Sequence, residues 1–511
     1  MKKSLEAFGR NEKGSVAIIF ALSLIPVLGV SGIAVDYSRL HVGRSSLQDV
    51  VDGAAVAIAR YPGTLTKSEA KKLARQYVKA HLQEENVTLG KVDVSLTDTA
   101  ISVTGSISMP TTFMGLFGYK TMETAALGEV VWSSAMHYEI ALVLDNTGSM
   151  EGTKMTELKK AANTFIDLVT QRVPDKDNLK IGVVPFSTFV NVGKGYKDAS
   201  WIDVDGKSKV SSDMFDKQYS RFKLYDKLGI EWPGCVETRL PPYDVTDEAP
   251  DKANVDTLFT PTFYPDDPDA DLKQPYYANN FIPDMLPVKD GVARTKNLAK
   301  YLATSNIAKF DRSPQTVISN AYGLKGPDMF CDQAPVRPLT NDYTAVRATI
   351  ADMKPSGSTN IPEGVMWGWR VLSPGAPFTE GAPYSDKYTK KILVLLTDGE
   401  NNFNVLPNDN AGFYTSWGYY WTHRLVNQDH PTFEAVQSAL DTKMTTACTN
   451  IKNVGIEVFT IRLEEPSVAL KGLLSACATD NAHFSDAPSA VDLDQIFAGI
   501  VTTSTNLRIA R

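Results

Sequence analysis

The sequence predicts an α/β protein with a single N-terminal transmembrane helix, a small α+β unit, and a doubly wound parallel-sheet domain that carries a long insertion. Three observations predict it. Residues 15–35 run without a charge; residues 91–109 alternate apolar and polar side chains with a period of two; from residue 137 onward, near-continuous apolar strands alternate with helix-periodic stretches.

The 511 residues are 43% apolar and 22% charged, the balance of a globular chain. A formal net charge of −7 and the lack of any basic domain exclude a general nucleic-acid binder. The uncharged run "SVAIIFALSLIPVLGVSGIAV" is 21 residues long. It makes about 31 Å of helix at ~1.5 Å per residue, enough to cross a bilayer core. Lys2, Lys3, Arg10 and Lys13 precede it against Glu6 and Glu12, so residues 1–14 are expected on the cytoplasmic side and everything after residue 36 outside. A cleaved signal peptide is the alternative, with Gly32 and Ala34 as its small residues. The run exceeds the ~7–15 residues of a signal core, which favours an uncleaved anchor.

Beyond the span, Leu40, Leu47, Val51, Ala54 and Ile58 keep a helical stripe, so the helix continues. After Pro62-Gly63, "TKSEAKKLARQYVKAHLQEE" reads as a second helix capped by Thr66 or Ser68. "KVDVSLTDTAISVTGSISM" reads as a hairpin, followed by a helical turn near Phe113 to Phe117 and the strand "METAALGEVVW". Residues 36–135 thus form a helix with a modest sheet.

The domain at 137–505 shows strands "YEIALVLD", "LKIGVVPFS", "KKILVLLTD" and "IEVFTIRL". Its helices place Leu158, Ala161, Phe165 and Leu168 on one face, then Val436, Leu440, Met444, Ile451 and Val454 up to Gly455, then Leu493, Ile496, Phe497 and Ile500. The alternation indicates a doubly wound sheet. Residues 192–340 break the rhythm with Pro, Asp, Tyr and Phe. A structureless loop of that length does not suit a compact domain, so an ordered, irregular insertion is expected.

In an open parallel sheet the ligand crevice lies beyond the carboxyl ends of the strands. Asp145 and Asp398 each end a strand and should share that rim. Thr147 and Ser149 follow Asp145 in "DNTGSM", with Gly148 between them to let the turn bend. Thr359 in "SGSTNIPEG" offers a third hydroxyl. Carboxylates and hydroxyls without His or Cys form a hard oxygen set suited to Mg²⁺, or to another divalent cation such as Mn²⁺ or Ca²⁺. The plain alternative is a set of caps and turns.

The motifs "DNTGSM", "SGSTNIPEG" and "LLTDGEN" resemble the three loops of the metal-ion-dependent adhesion site of von Willebrand factor type A domains. The resemblance implies Asp145, Thr147, Ser149, Thr359 and Asp398 as the metal site, with Thr147 where Ser is commoner. The segment "NEKGSVAIIFALSLIPVLGVSGIAVDYSRLHVGRSSLQDVVDGAAVAIA" resembles the TadE/TadG-like proteins of the bacterial tight-adherence (Flp) pilus. The combination is similar to TadG-like proteins. It implies a pilin-like α+β unit and a non-enzymatic, single-pass inner-membrane component of pilus assembly with a periplasmic binding domain. Its partners would be pilus-assembly or envelope proteins, one of which offers an acidic side chain to complete the metal site. Prepilin processing expects Glu five residues after the cleavage glycine; counted from Gly14 that position is Ile19, so the anchor is expected to stay uncleaved.

Export makes disulfides plausible for Cys235, Cys331, Cys448 and Cys477, with 448–477 and 235–331 the expected pairs and free thiols the alternative. Asp266, Asp267, Asp269 and Asp271 in "YPDDPDADLK" lack EF-hand spacing and read as a solvated acidic loop. The aromatics of "FYTSWGYYWTHR" form either an interaction face beside the metal rim or core packing. No phosphate loop, HExxH or GxSxG elbow supports catalysis. The resemblances also allow two other functions: a von Willebrand A-like module regulating an enzyme or ATPase complex, and a pseudopilin-like envelope scaffold with a vestigial metal site.

Overall fold

The computed structural model describes residues 13–59, 61, 65–82, 87–97, 100–131, 136–268, 279–285, 290–316, 321–504 and 509–510. The chain divides into two compact units, 1–136 with 506–511, and 137–505.

The first unit is built on one long helix, α1 (Lys13–Ala59), unbroken through Pro26. The expected membrane span falls on its first half, where many side chains lie outside the described residues. Among the described residues no helix is long and apolar enough to cross a membrane. The second half buries Leu47, Val51, Ala54 and Ile58, the stripe expected from the sequence, with Leu40 partly buried at its edge. Helix α2 (Lys67–His81) starts in a capping box. The Thr66 hydroxyl accepts from the Glu69 N–H, and the Glu69 carboxylate accepts from the Thr66 N–H. Strands β1 (Thr88–Leu96), β2 (Ala100–Pro110) and β3 (Thr121–Val131) form an antiparallel sheet that the chain terminus extends with β10 (Ile509–Ala510). That last strand has no sequence signal of its own. A Cβ at Gly128 would stand 2.7 Å from the Val51 carbonyl, so α1 rests directly on β3.

The second unit carries a six-stranded mixed sheet. Its strands are β4 (His137–Asp145), β5 (Leu179–Phe186), β6 (Arg337–Thr340), β7 (Thr389–Thr397), β8 (Glu457–Leu463) and β9 (Phe484–Ala487), in the spatial order β6-β5-β4-β7-β8-β9. All neighbours are parallel except the edge pair β6 and β5. The four long strands are the four apolar runs of the sequence; the short edge strands β6 and β9 carry too little periodicity to read. Helix α5 (Ile361–Leu372) packs on β4 and β5, while α6 (Phe433–Asn453) and α7 (Val468–Cys477) pack beside β8. Helices α3 (Thr153–Arg172), α4 (Tyr343–Asp352) and α8 (Leu493–Ser504) form a second group, α3 touching both others. In α3 the expected Leu158, Ala161 and Phe165 are buried, together with Met155, Ala162, Ile166 and Val169, while the expected Leu168 is half-buried.

The described residues of the insertion are mostly irregular in backbone, with only short strands and helices. The pairings Cys235–Cys331 and Cys448–Cys477 are formed. Its core is aromatic and charged: Trp201, Phe259 and Phe378 pack in edge-to-face and tilted contacts around Trp367 of α5. Of the acids expected in a solvated loop, Asp266 and Asp267 are buried. Asp266 is buried, accepting from the Phe281 and Ile282 N–H groups at 2.5 and 2.7 Å and from Lys300 Nζ at 2.8 Å. Asp267 accepts from Tyr419 Oη at 2.6 Å and the Asn279 N–H at 2.6 Å. Donors from distant segments offset the cost of burying these charges, and no local pattern reveals them. Asp269 and Asp271 lie outside the described residues. The aromatics of residues 413–421 are core, with Tyr414, Trp417, Tyr419 and Tyr420 all buried.

Candidate metal centre

Parallel pairing places Leu396 of β7 opposite Leu144 of β4, so both strands end together and deliver Asp145 and Asp398 to one rim. Asp145 lies fully buried beneath it. Its Oδ1 accepts from the Thr147 N–H at 2.8 Å, and its Oδ2 accepts from Thr397 Oγ1 at 2.7 Å. Above it run Thr147 Oγ1 and Ser149 Oγ, 3.0 Å apart, and Ser149 Oγ donates to Asp398 Oδ1 at 2.6 Å. Thr359 Oγ1 and Ser149 Oγ both fall within 4 Å of where a Cβ on Gly399 would stand, 3.6 and 3.9 Å. The five residues singled out in the sequence therefore meet at one place.

Backbone ties hold the loops together. Gly148 N–H donates to the Gly357 carbonyl at 3.1 Å, Ser356 N–H to the Asn146 carbonyl at 2.9 Å, and Asn402 N–H to the Thr359 carbonyl at 2.9 Å. The glycine that needs its freedom is Gly357, at φ +79°, where a Cβ would also stand 2.6 Å from Thr188 Oγ1. Gly148, expected to permit the turn, has no left-handed φ, and a Cβ there would make ordinary contact with the Gly357 carbonyl at 3.6 Å.

Burial pushes the Asp145 carboxyl up to about 7, and the Asp398 charge adds to the rise; the bonds from Thr147 and Thr397 oppose it. Two carboxylates this close call for a cation or a shared proton. Lys154 answers in part, its Nζ 2.7 Å from Asp398 Oδ2. Among the described residues no group of three or more His, Cys, Asp or Glu is placed to hold a metal. The donor set here is two carboxylates and three hydroxyls, which fits a hard divalent cation.

A cleft of 630 Å³ opens over these oxygens, walled by Phe330 and Phe413 on one side and by Glu400, Asn402, Asn404 and Glu465 elsewhere. Thr397 and Lys154 escaped the sequence reading. Aligning the ends of "YEIALVLD" and "KKILVLLTD" would have found Thr397; a lysine in a first helical turn carries no such signal.

The long helix of the first unit decides the comparison with known proteins. Residues 14–60 match the family model of putative Flp pilus-assembly TadE/G-like proteins. No curated protein matches the chain. Among solved structures, the pilus adhesin SpaC of Lactobacillus rhamnosus GG is 11% identical at a TM-score of 0.31, covering 82% of this chain and 34% of its own. The chain thus spans about a third of that adhesin's length. The vWF domain of the type V pili tip protein Mfa5 of Porphyromonas gingivalis is 11% identical at 0.32, covering 72% and 95%. The PilB minor pilin of Streptococcus sanguinis is 13% identical at 0.32, covering 82% and 78%. Scores this low assign neither a fold nor a ligand to this chain. The TadE/G-like segment coincides with the helix that carries the first unit.

Proposed function

We propose that this protein is a membrane-anchored component of a Tad-type pilus assembly system that presents a divalent-cation-dependent binding domain outside the inner membrane, in the periplasm. The TadE/G-like match over residues 14–60 supports the pilus context. The observation that carries the binding mechanism is the meeting of Asp145, Thr147, Ser149, Thr359 and Asp398 at the ends of adjacent parallel strands. Asp145, Thr147 and Ser149 would hold Mg²⁺ or a similar ion, with Thr359 and Asp398 completing the site directly or through water. The ion supplies a positive centre at the floor of an open cleft, and an acidic side chain of a pilus or envelope partner would meet it there.

The reading is non-enzymatic: the cleft holds hydroxyls and carboxylates, and the described residues that line it include no histidine or cysteine to serve as base or nucleophile. Residues 15–35 would anchor the chain in the lipid, the direction set by the basic flank before them. The test is titration of the full chain in detergent with Mg²⁺ and Mn²⁺, wild type beside Asp145→Ala. Binding in the wild type and none in the variant is expected; equal affinity in both would sink the metal assignment.

A further inference from the structure

We propose that the loop between β2 and β3, residues 111–120, is a second membrane contact that lies in the boundary between headgroups and acyl chains, beside the point in α1 where the uncharged run ends. The proposal rests on the reading of residues 15–35 as a membrane span and adds a surface that the span does not require.

The loop is held against the helix rather than hanging free. Asp36 is buried and accepts three backbone N–H groups from it, those of Thr112, Phe113 and Met114, at 2.9, 2.9 and 2.8 Å. Arg39 Nη1 donates to Thr112 Oγ1 at 2.7 Å. Two glycines of α1 admit the loop's rings: a Cβ on Gly32 would stand 2.5 Å from Phe113 Cβ, and one on Gly29 3.1 Å from Phe117 Cζ. The loop therefore lies alongside residues 29–36.

That stretch is the final ~10 Å of the uncharged run, at ~1.5 Å per residue. A loop fixed there reaches from the outer third of the hydrocarbon to its boundary with the headgroups, a zone roughly 5–8 Å thick on each side. Its composition fits that depth. Leu116 is 82% exposed, Tyr119 63%, Phe117 56% and Phe113 39%, and Lys120 is exposed at the end. Apolar side chains with a tyrosine and a lysine at the edge are what interfacial anchors carry. Val27, Val30, Ile33 and Val35 of the helix are exposed as well, as lipid-facing residues of a span would be.

The four cysteines are all in disulfides, so a single added thiol takes a label cleanly. The full chain would be reconstituted in phosphatidylethanolamine–phosphatidylglycerol vesicles containing lipid brominated on the acyl chain near the headgroup. Bimane would be placed on Leu116→Cys, with Tyr119→Cys as a second loop site, Val27→Cys as the span control and the exposed Val468→Cys as the aqueous control. Loss of emission at the loop sites and at Val27→Cys, with none at Val468→Cys, is the expected result. Quenching at Val27→Cys alone overturns the proposal and leaves the span standing. Quenching at neither removes the span and the proposal with it. A blue-shifted loop label that bromolipid leaves bright means a protein covers the loop, which also overturns it.

Discussion

Ser149 Oγ donates to Asp398 Oδ1 across 2.6 Å, although 249 residues separate them in the chain. The second oxygen of the same carboxylate takes Lys154 Nζ at 2.7 Å, so an ammonium already neutralises the group on which a metal would draw. Lys154→Gln removes that competitor and leaves the five oxygen donors intact. Divalent cations are then expected to bind about 3- to 10-fold tighter, a gain of roughly 1 kcal/mol. Isothermal titration of the two proteins with Mg²⁺ measures it; unchanged or weaker binding would show that Lys154 does not compete.

Glu237 is the hub of the insertion. Its carboxylate is fully buried and accepts from Arg221, from Tyr414 Oη, and from Arg424 Nη1 at 2.7 Å. Glu237→Ala leaves two buried guanidinium groups without their counter-charge, a loss of about 3–5 kcal/mol. Thermal melting should fall accordingly, and limited proteolysis should cut first within residues 192–340. A variant that melts like the wild type would mean the network contributes nothing net.

A glycine in strand β3 and a glycine in helix α7 should answer oppositely to alanine. At Gly128 the new methyl meets the Val51 backbone at 2.7 Å, which cannot swing away, so Gly128→Ala should destabilise the first unit by roughly 1–3 kcal/mol. At Gly472, inside α7, nothing lies within 4 Å of the added carbon, and Gly472→Ala should stabilise by up to about 1 kcal/mol. Denaturant melts of both variants decide this; a harmless Gly128→Ala would contradict the close seating of α1 on β3.

Asp36 makes the first unit sensitive to acid. Burial alone would raise its carboxyl, but the N–H groups of Met114, Thr112 and Phe113, with the Arg39 charge, hold it below the ordinary carboxylate range of 3.8. A depressed folded value means the stabilisation is complete above the unfolded value and is lost as pH falls through the folded one. The wild type should therefore be more stable than Asp36→Asn at neutral pH, and the gap should close below pH ~4. A gap that is the same at every pH would remove the ionised carboxylate from the account.

The sequence by itself determined the long strands, the long helices and the five oxygen-bearing residues of the candidate centre, because each rests on local pattern. Near-continuous apolar runs mark strands covered on both faces, a stripe at helical spacing marks α1, and acids at strand ends mark a rim. The cysteine pairs also followed from spacing and export. Only the tertiary structure decided which charges are buried. Asp266 and Asp267 read as acids of a solvated loop, yet they are satisfied by donors from Phe281, Asn279 and Tyr419 that folding alone brings near, and Glu237, which no sequence pattern singles out, takes Arg424 in the same way. The same holds for Lys154 on Asp398, for the aromatic run at 413–421 that packs inward, and for the terminal strand β10 that joins the first sheet. Periodicity reports which face of an element is apolar; it does not report which distant partner will supply the missing hydrogen bond or charge.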